Sequence, residues 1–268
     1  MTEPKNIDRS KGILPQKEKG SLQPIIPQSI EEQRRLQLER LAAGFRLFAL
    51  YGFDEGLAGH ITLRDPEFSD HFWVNPLGMN FSQISVSDLL LVKEDGQIIQ
   101  GNRPINPAAF AIHSSIHKAR PDVNSAAHAH SIYGRTFSSL GKLLDPITQD
   151  AALFFQEQAI YDSYGGVAFD IEEGLAIAEA LGEKRTAILQ NHGLLTTGAS
   201  VDIALWLFIA MDKCCQSQLL ADSAGSPIII SDEIALQAKA QAGTDMILWA
   251  SFQPLYDLIY ELEPDFLK

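Results

Sequence analysis

The sequence predicts an α/β protein in which a mixed sheet lies between helical layers. Two observations carry this. Short β-type runs and longer stretches of helical periodicity alternate irregularly along the chain, and no linker divides its middle, so the 268 residues read as one domain. A hydrophobic fraction of 46% with 21% charged residues supplies a core of ordinary size for a globular protein.

Residues 1–28 are rich in charge and proline and are predicted to form a mobile arm without catalytic residues. The domain proper is predicted over residues 29–225, with residues 226–268 as a helical extension of it. A helix begins near Ser29. Leu36, Leu38, Leu41, Ala42, Phe45, Leu47, Phe48 and Leu50 give it a broad apolar stripe, and Gly52 ends it. β-type runs follow at residues 60–63, 71–74 and 89–92, and Asp95-Gly96 supplies a turn before Ile98-Ile99. Asn106-Pro107 starts a second helix: Asn caps free backbone N–H groups, and Pro fits the first turn, where its missing donor costs nothing. This helix carries Phe110, Ile112 and Ile116 and stops before Pro121. A strand is predicted at residues 125–128, a helix at 171–181, a β run at 186–190, a long helix from Val201 to about Ala221, and helix in residues 231–262. The long helix carries Leu205, Trp206, Phe208, Ile209 and Met211 around more than one face. It is therefore buried on several sides or shared with another subunit.

The formal net charge of −13 argues against a nucleic-acid groove and against an anionic membrane surface as partner. The two cysteines, Cys214 and Cys215, are adjacent on a predicted helix and make poor disulfide partners; free thiols suit a reducing compartment. Residues 1–20 hold no apolar segment of the secretory type, and the longest apolar run, residues 204–211, is too short to span a bilayer. The expected location is the cytoplasm.

Chemistry enters with the histidines. In a strand, residues i and i+2 share a face, so His128 and His130 can present two imidazoles to one divalent metal. An isolated H-x-H is as easily surface decoration, but this one ends a small apolar strand, Val123-Asn-Ser-Ala-Ala127. A third histidine, His192, also follows a β run, and Gly193 beside it permits a sharp turn. Three neutral nitrogen ligands leave coordination positions open, as in catalytic sites.

The segments Ala119-Arg-Pro-Asp-Val-Asn124, Ala126-Ala-His-Ala-His130 and Gln190-Asn-His-Gly193 resemble the class II aldolase/adducin family. Upstream, Gly56-Leu-Ala-Gly-His-Ile-Thr62 and Asn75-Pro-Leu-Gly78 resemble its first two loops, and the resemblance runs from about residue 32 to 222. It implies a three-layer α/β/α domain with a central mixed, largely antiparallel sheet. It also implies zinc held by His128, His130 and His192, and a homotetramer with active sites at subunit interfaces. The usual non-haem iron signature has two histidines and one carboxylate, so zinc is the default metal and Fe(II) the alternative.

The sequence departs from the family's sugar-phosphate aldolases in two ways. Their catalytic glutamate corresponds to Ala109, which cannot move a proton. Their phosphate-binding Asn, Thr and Ser positions read His60, Leu77, Pro107 and Ala108, which removes most of the donors a phosphate needs. A phosphorylated sugar is therefore not the expected substrate. His113, one helical turn beyond Ala109, is a candidate acid/base or fourth ligand, and Asp150 is a second candidate for moving a proton. His60 and Gly78 in the two loop segments, with Gln149 and Phe154, are the predicted substrate contacts.

Two branches of the family share the missing glutamate: the adducins, non-catalytic assembly proteins with a basic tail, and enzymes resembling the non-haem iron oxygenases that decarboxylate aryl-keto acids in aminocoumarin pathways. The expected function is a metal-dependent carbon–carbon lyase, an aldolase or decarboxylase, acting on a non-phosphorylated oxo acid. The alternatives are an Fe(II) oxygenase of aryl-keto acids and an adducin-like assembly domain.

Overall fold

The computed structural model describes residues 19–166 and 171–268, so the arm expected over residues 1–28 lies outside the described residues as far as residue 18. Helix α1 (Ile30–Leu50) begins where Ser29 Oγ accepts the Glu32 N–H, as its cap chemistry requires. Strands β1 (His60–Arg64), β2 (His71–Val74), β3 (Leu90–Lys93) and β4 (Ile98–Gln100) then run as an antiparallel meander. Asn106 Oδ1 accepts the Ala108 N–H at 2.9 Å and opens α2 (Pro107–Ala119). Next come β5 (Ser125–Ala129), α3 (Ile132–Ser138), β6 (Gln158–Tyr161), α4 (Ile171–Leu181), β7 (Thr186–Leu189) and β8 (Gly193–Gly198). The chain ends with α5 (Val201–Ala224), α6 (Asp232–Ala242) and α7 (Asp245–Leu262).

Among the described residues the eight strands form one sheet in the order β4-β3-β2-β1-β5-β8-β7-β6. Every neighbouring pair is antiparallel except β6–β7, so the sheet is mixed and largely antiparallel. Alternation along the strands divides the core in two. Ile61, Leu63, Ala127, Ala129, Ile188 and Leu194 face a layer built by α1, α3, α5 and α7. Ala187, Leu189 and Leu195 face the opposite layer, where α2 and α4 pack against each other with Ile112, Ile116, Ile177 and Leu181 between them.

Helix α5 is wrapped by the sheet and by α1, α3 and α7, which accounts for its apolar residues on several faces within one chain. The C-terminal segment is two helices, separated where Thr244 Oγ1 caps α7. Trp249, Phe252, Ile259 and Phe266 from this segment sit in the same core as α1 and α5. Beneath α7, the buried Arg40 guanidinium stacks on Tyr256 at 3.4 Å and faces Asp202.

The layer holding α2 is closed by a close helix approach. A Cβ at Gly174 of α4 would lie 2.0 Å from the Ala111 carbonyl oxygen of α2, which no side-chain rotation relieves. Gly174→Ala is expected to lower stability by about 1–3 kcal/mol through overpacking. Urea unfolding measures it, and an unchanged midpoint would contradict this account of how α2 is seated.

Candidate metal centre

Register explains how residues far apart in sequence converge. Antiparallel pairing of β5 with β1 sets His60 opposite His128, and pairing with β8 sets Leu195 on the other side of His128. The face parity that sends Ala127 and Ala129 into the α5 layer sends His128 towards α2. His130 follows β5 directly and precedes α3, whose first turn is held by Asp212 of α5 accepting the Gly134 N–H.

His192 stands in the tight connection between β7 and β8, where Leu189 pairs with Gly193. The left-handed residue of this turn is Asn191, at φ 58°, stabilised by its N–H to the Ser138 carbonyl. Gly193 is not the left-handed residue of that turn and instead opens β8. A Cβ there would press on the Ala129 carbonyl oxygen at 3.3 Å and stand in ordinary contact with His128 Cε1 at 3.6 Å and His130 Cδ2 at 4.0 Å.

The three rings form a near-equilateral group, with centroids 4.7 Å (His128–His192), 5.0 Å (His130–His192) and 5.2 Å (His128–His130) apart. One nitrogen from each lies within 4.8 Å of the others. His128 donates its Nδ1–H to the Leu194 carbonyl at 2.8 Å. A carbonyl only accepts, so the tautomer is fixed and Nε2 is left with its lone pair, the usual outer-shell device for a metal-ligating histidine. Burial pushes His128 well below the usual histidine value, with the neighbouring imidazoles adding to the effect. Burial also lowers His130, and it lowers His192 to about 4. Neutral imidazoles are the protonation state a metal needs.

The group opens on a cavity of about 370 Å³, a size suited to a small organic ligand. Leu57, Leu77, Pro107, Ala108, Ile112 and Tyr164 give it a mainly apolar wall, and among the described lining residues none is a carboxylate. On its other side the group meets a more open, polar recess containing Arg135, which is ion-paired with Glu55.

The residues singled out in the sequence divide into two sets. His60 lines the cavity beside His128. His113 is fully buried behind His60, with both ring nitrogens hydrogen-bonded to His60 and Thr62, so neither is available as a fourth ligand. Gly78 is an exposed turn residue at φ 79°, and its neighbour Leu77 is the one at the cavity wall. Gln149 and Asp150 are exposed on the approach to a short 3-10 turn and line neither cavity nor recess. Phe154 is wholly buried in the α5 core and lines a different, small cavity with Leu207 and Leu248. Sequence reasoning missed Thr62, Tyr164, Asn106 and Arg135. For Thr62 a signal existed: His60, Thr62 and Arg64 alternate along one strand face.

The chain matches the family model described as the Class II Aldolase and Adducin N-terminal domain over residues 39–219. It belongs to the class II aldolase and adducin family. Decarboxylase NovR of Streptomyces niveus is 42% identical over 245 residues, covering 91% of each chain. The 4-hydroxy-3-prenylphenylpyruvate oxygenase/4-hydroxy-3-prenylbenzoate synthase of Streptomyces roseochromogenus subsp. oscitans is 43% identical over 236 residues, 87% of this chain and 85% of that one. Among solved structures, one described as L-fuculose 1-phosphate aldolase from Glaciozyma antarctica PI12 superposes with a TM-score of 0.86 at 41% identity, over 92% of this chain and 97% of the other. Among the described residues no helix is long and apolar enough to cross a membrane.

His117, one turn beyond His113 on α2, is held by burial at a pKa of about 3 against an ordinary value of 6.5. The sign follows from proton binding. The folded chain keeps His117 neutral, while the unfolded chain protonates it below about 6.5, so its contribution is fully present above that pH and is lost as pH falls towards 3. Replacing His117→Gln should flatten the pH dependence of unfolding free energy between about pH 6 and 4 by up to ~1.4 kcal/mol per pH unit. Urea titrations of both proteins across that window measure it, and parallel curves would contradict a neutral buried His117.

Proposed function

We propose that the chain is a divalent-metal-dependent enzyme that cleaves a carbon–carbon bond beside the carbonyl of a non-phosphorylated oxo acid bearing an aromatic group, by an oxygen-consuming route. The observation that carries this reading is the three-histidine group opening on an apolar cavity without a carboxylate among its described lining residues. His128, His130 and His192 would hold the metal; their nitrogens within 4.8 Å of one another and the carbonyl-locked tautomer of His128 suit a cation. A bound metal would supply Lewis-acid polarisation of a carbonyl oxygen, and with Fe(II) also a place for O₂.

The wall formed by Leu57, Leu77 and Ile112 fits an aromatic side chain and offers a phosphate few partners. An aldol-type cleavage needs a group that takes the substrate hydroxyl proton, and the described cavity presents no carboxylate for it. An oxidative cleavage of an arylpyruvate has no such requirement. The two relatives named as a decarboxylase and as a phenylpyruvate oxygenase support this order of preference. The sequence reading put the lyase first, and the likeness to the structure described as an aldolase keeps it as the second reading. A homotetramer belongs to the proposal as well: Gln149 and Asp150 are exposed and outside this chain's cavity, so they would reach a metal centre only on a neighbouring subunit.

The deciding experiment follows O₂ with an electrode while anaerobically prepared protein, loaded with Fe(II) or with Zn(II), turns over phenylpyruvate. Uptake with Fe(II) and none with Zn(II) is the expected outcome. Metal-dependent cleavage without O₂ consumption would overturn the oxidative route in favour of the lyase.

A further inference from the structure

Behind the cavity, two secondary structures with different periods mesh into one line of hydrogen bonds. On β1, His60, Thr62 and Arg64 share a face by strand alternation; on α2, His113 and His117 share a face one helical turn apart. His60 Nδ1 lies 2.8 Å from His113 Nε2, and His113 Nδ1 lies 2.7 Å from Thr62 Oγ1. Thr62 Oγ1 lies 2.9 Å from His117 Nε2, and His117 Nδ1 lies 3.4 Å from Arg64 Nη2. His60, Thr62, His113 and His117 are all buried. His60 Nε2 has no partner among the described residues, and its ring lines the cavity.

Such a line has only two self-consistent directions when the imidazoles are neutral. Each N···N contact takes one proton, and the threonine hydroxyl gives its single hydrogen to one imidazole while accepting from the other. Arg64 sits at the far end, and a guanidinium has donors only. Its Nη2 donates to the His117 carbonyl at 2.5 Å and to the Arg120 carbonyl at 3.3 Å, which holds the guanidinium against His117 Nδ1, and a nitrogen facing a donor-only group is favoured with its lone pair. The Val123 carbonyl, which receives the Arg64 Nε–H at 3.3 Å, is the acceptor that would compete for a proton there, and a proton on His117 Nδ1 would reverse the line. With His117 Nδ1 bare, His117 Nε2–H donates to Thr62, Thr62 donates to His113 Nδ1, and His113 Nε2–H donates to His60 Nδ1.

We propose that Thr62, His113, His117 and Arg64 are positioning residues that hold His60 as a fixed hydrogen-bond donor, its Nε2–H facing the cavity to receive an acceptor oxygen of the substrate. A carboxylate or carbonyl oxygen fits that donor, and a substrate group offering only N–H or O–H does not. The opposite direction would leave His60 Nε2 with a lone pair, making it a base or a further ligand. The choice of an oxo acid as occupant rests on the reading given under Proposed function; the direction of the line does not.

Two measurements on the Zn(II)-loaded protein, in which no oxygen chemistry competes, separate these. Neutron diffraction from deuterium-exchanged crystals should show deuterons on Nε2 of His60, His113 and His117 and on none of their Nδ1 atoms; a deuteron on His60 Nδ1 with Nε2 bare would overturn the proposal. Isothermal titration with phenylpyruvate should show binding about tenfold weaker in Thr62→Val, which removes the bridging hydroxyl at nearly constant volume. Thr62→Ser should restore it. Equal affinity in wild type and Thr62→Val, with zinc content unchanged, would also overturn the positioning role. Wild-type protein that binds no phenylpyruvate yet shows the expected deuterons would count against the oxo-acid reading and leave the donor assignment standing.

Discussion

Strand β5 lies between β1 and β8, and its register with both is the constraint on which the centre depends. Strand periodicity allows no intermediate setting: a slip of one residue would turn His128 into the α5 core and Ala127 into the cavity. The register is protected because the opposite face is buried throughout, with Ala127 and Ala129 fitted under α5. The same pairing places His60 against His128, and the short β7–β8 turn returns His192 to the same end of the sheet. Packing on one face of the sheet thus fixes the chemistry on the other.

The two sides of that chemistry are built differently. The side proposed to hold a metal is made of imidazoles whose tautomers or environments keep lone pairs free. The cavity side is mainly apolar, and the donor proposed there, His60, is supported from behind by groups that do not line the cavity. On the proposed function, a change of specificity away from phosphorylated sugars needs no new scaffold. Leu77, Pro107 and Ala108 at the cavity wall would offer a phosphate few donors, and the buried line would fix one donor beside them.

Much of this was legible in the sequence, for identifiable reasons. The ends of α1, α2 and α4 follow from Ser29, Asn106-Pro107 and the apolar period, all local signals. The three histidines were legible because strand spacing and a turn determine where they point. Strand β8 was not: Gly193-Leu-Leu-Thr-Thr-Gly198 is buried on both faces, so it shows no polar alternation. Helix α3 was missed because its N-terminus is held by Asp212, 78 residues beyond Gly134, and not by its own cap residue. Phe154 was misjudged because an aromatic residue in a loop gives no sign of which layer will bury it, and here α5 and α7 do. The role of His113 depends on β1 and α2 meeting in one register, which is a tertiary fact.

The central claim is that His128, His130 and His192 together hold one metal ion. Elemental analysis of protein purified anaerobically and reloaded with Zn(II) or Fe(II), beside His192→Ala treated identically, tests it most directly. The account predicts one ion per chain in the wild type and far less than one in the variant, with both folded by circular dichroism. A wild-type chain that takes up no metal, or a His192→Ala chain that retains a full equivalent, would contradict it.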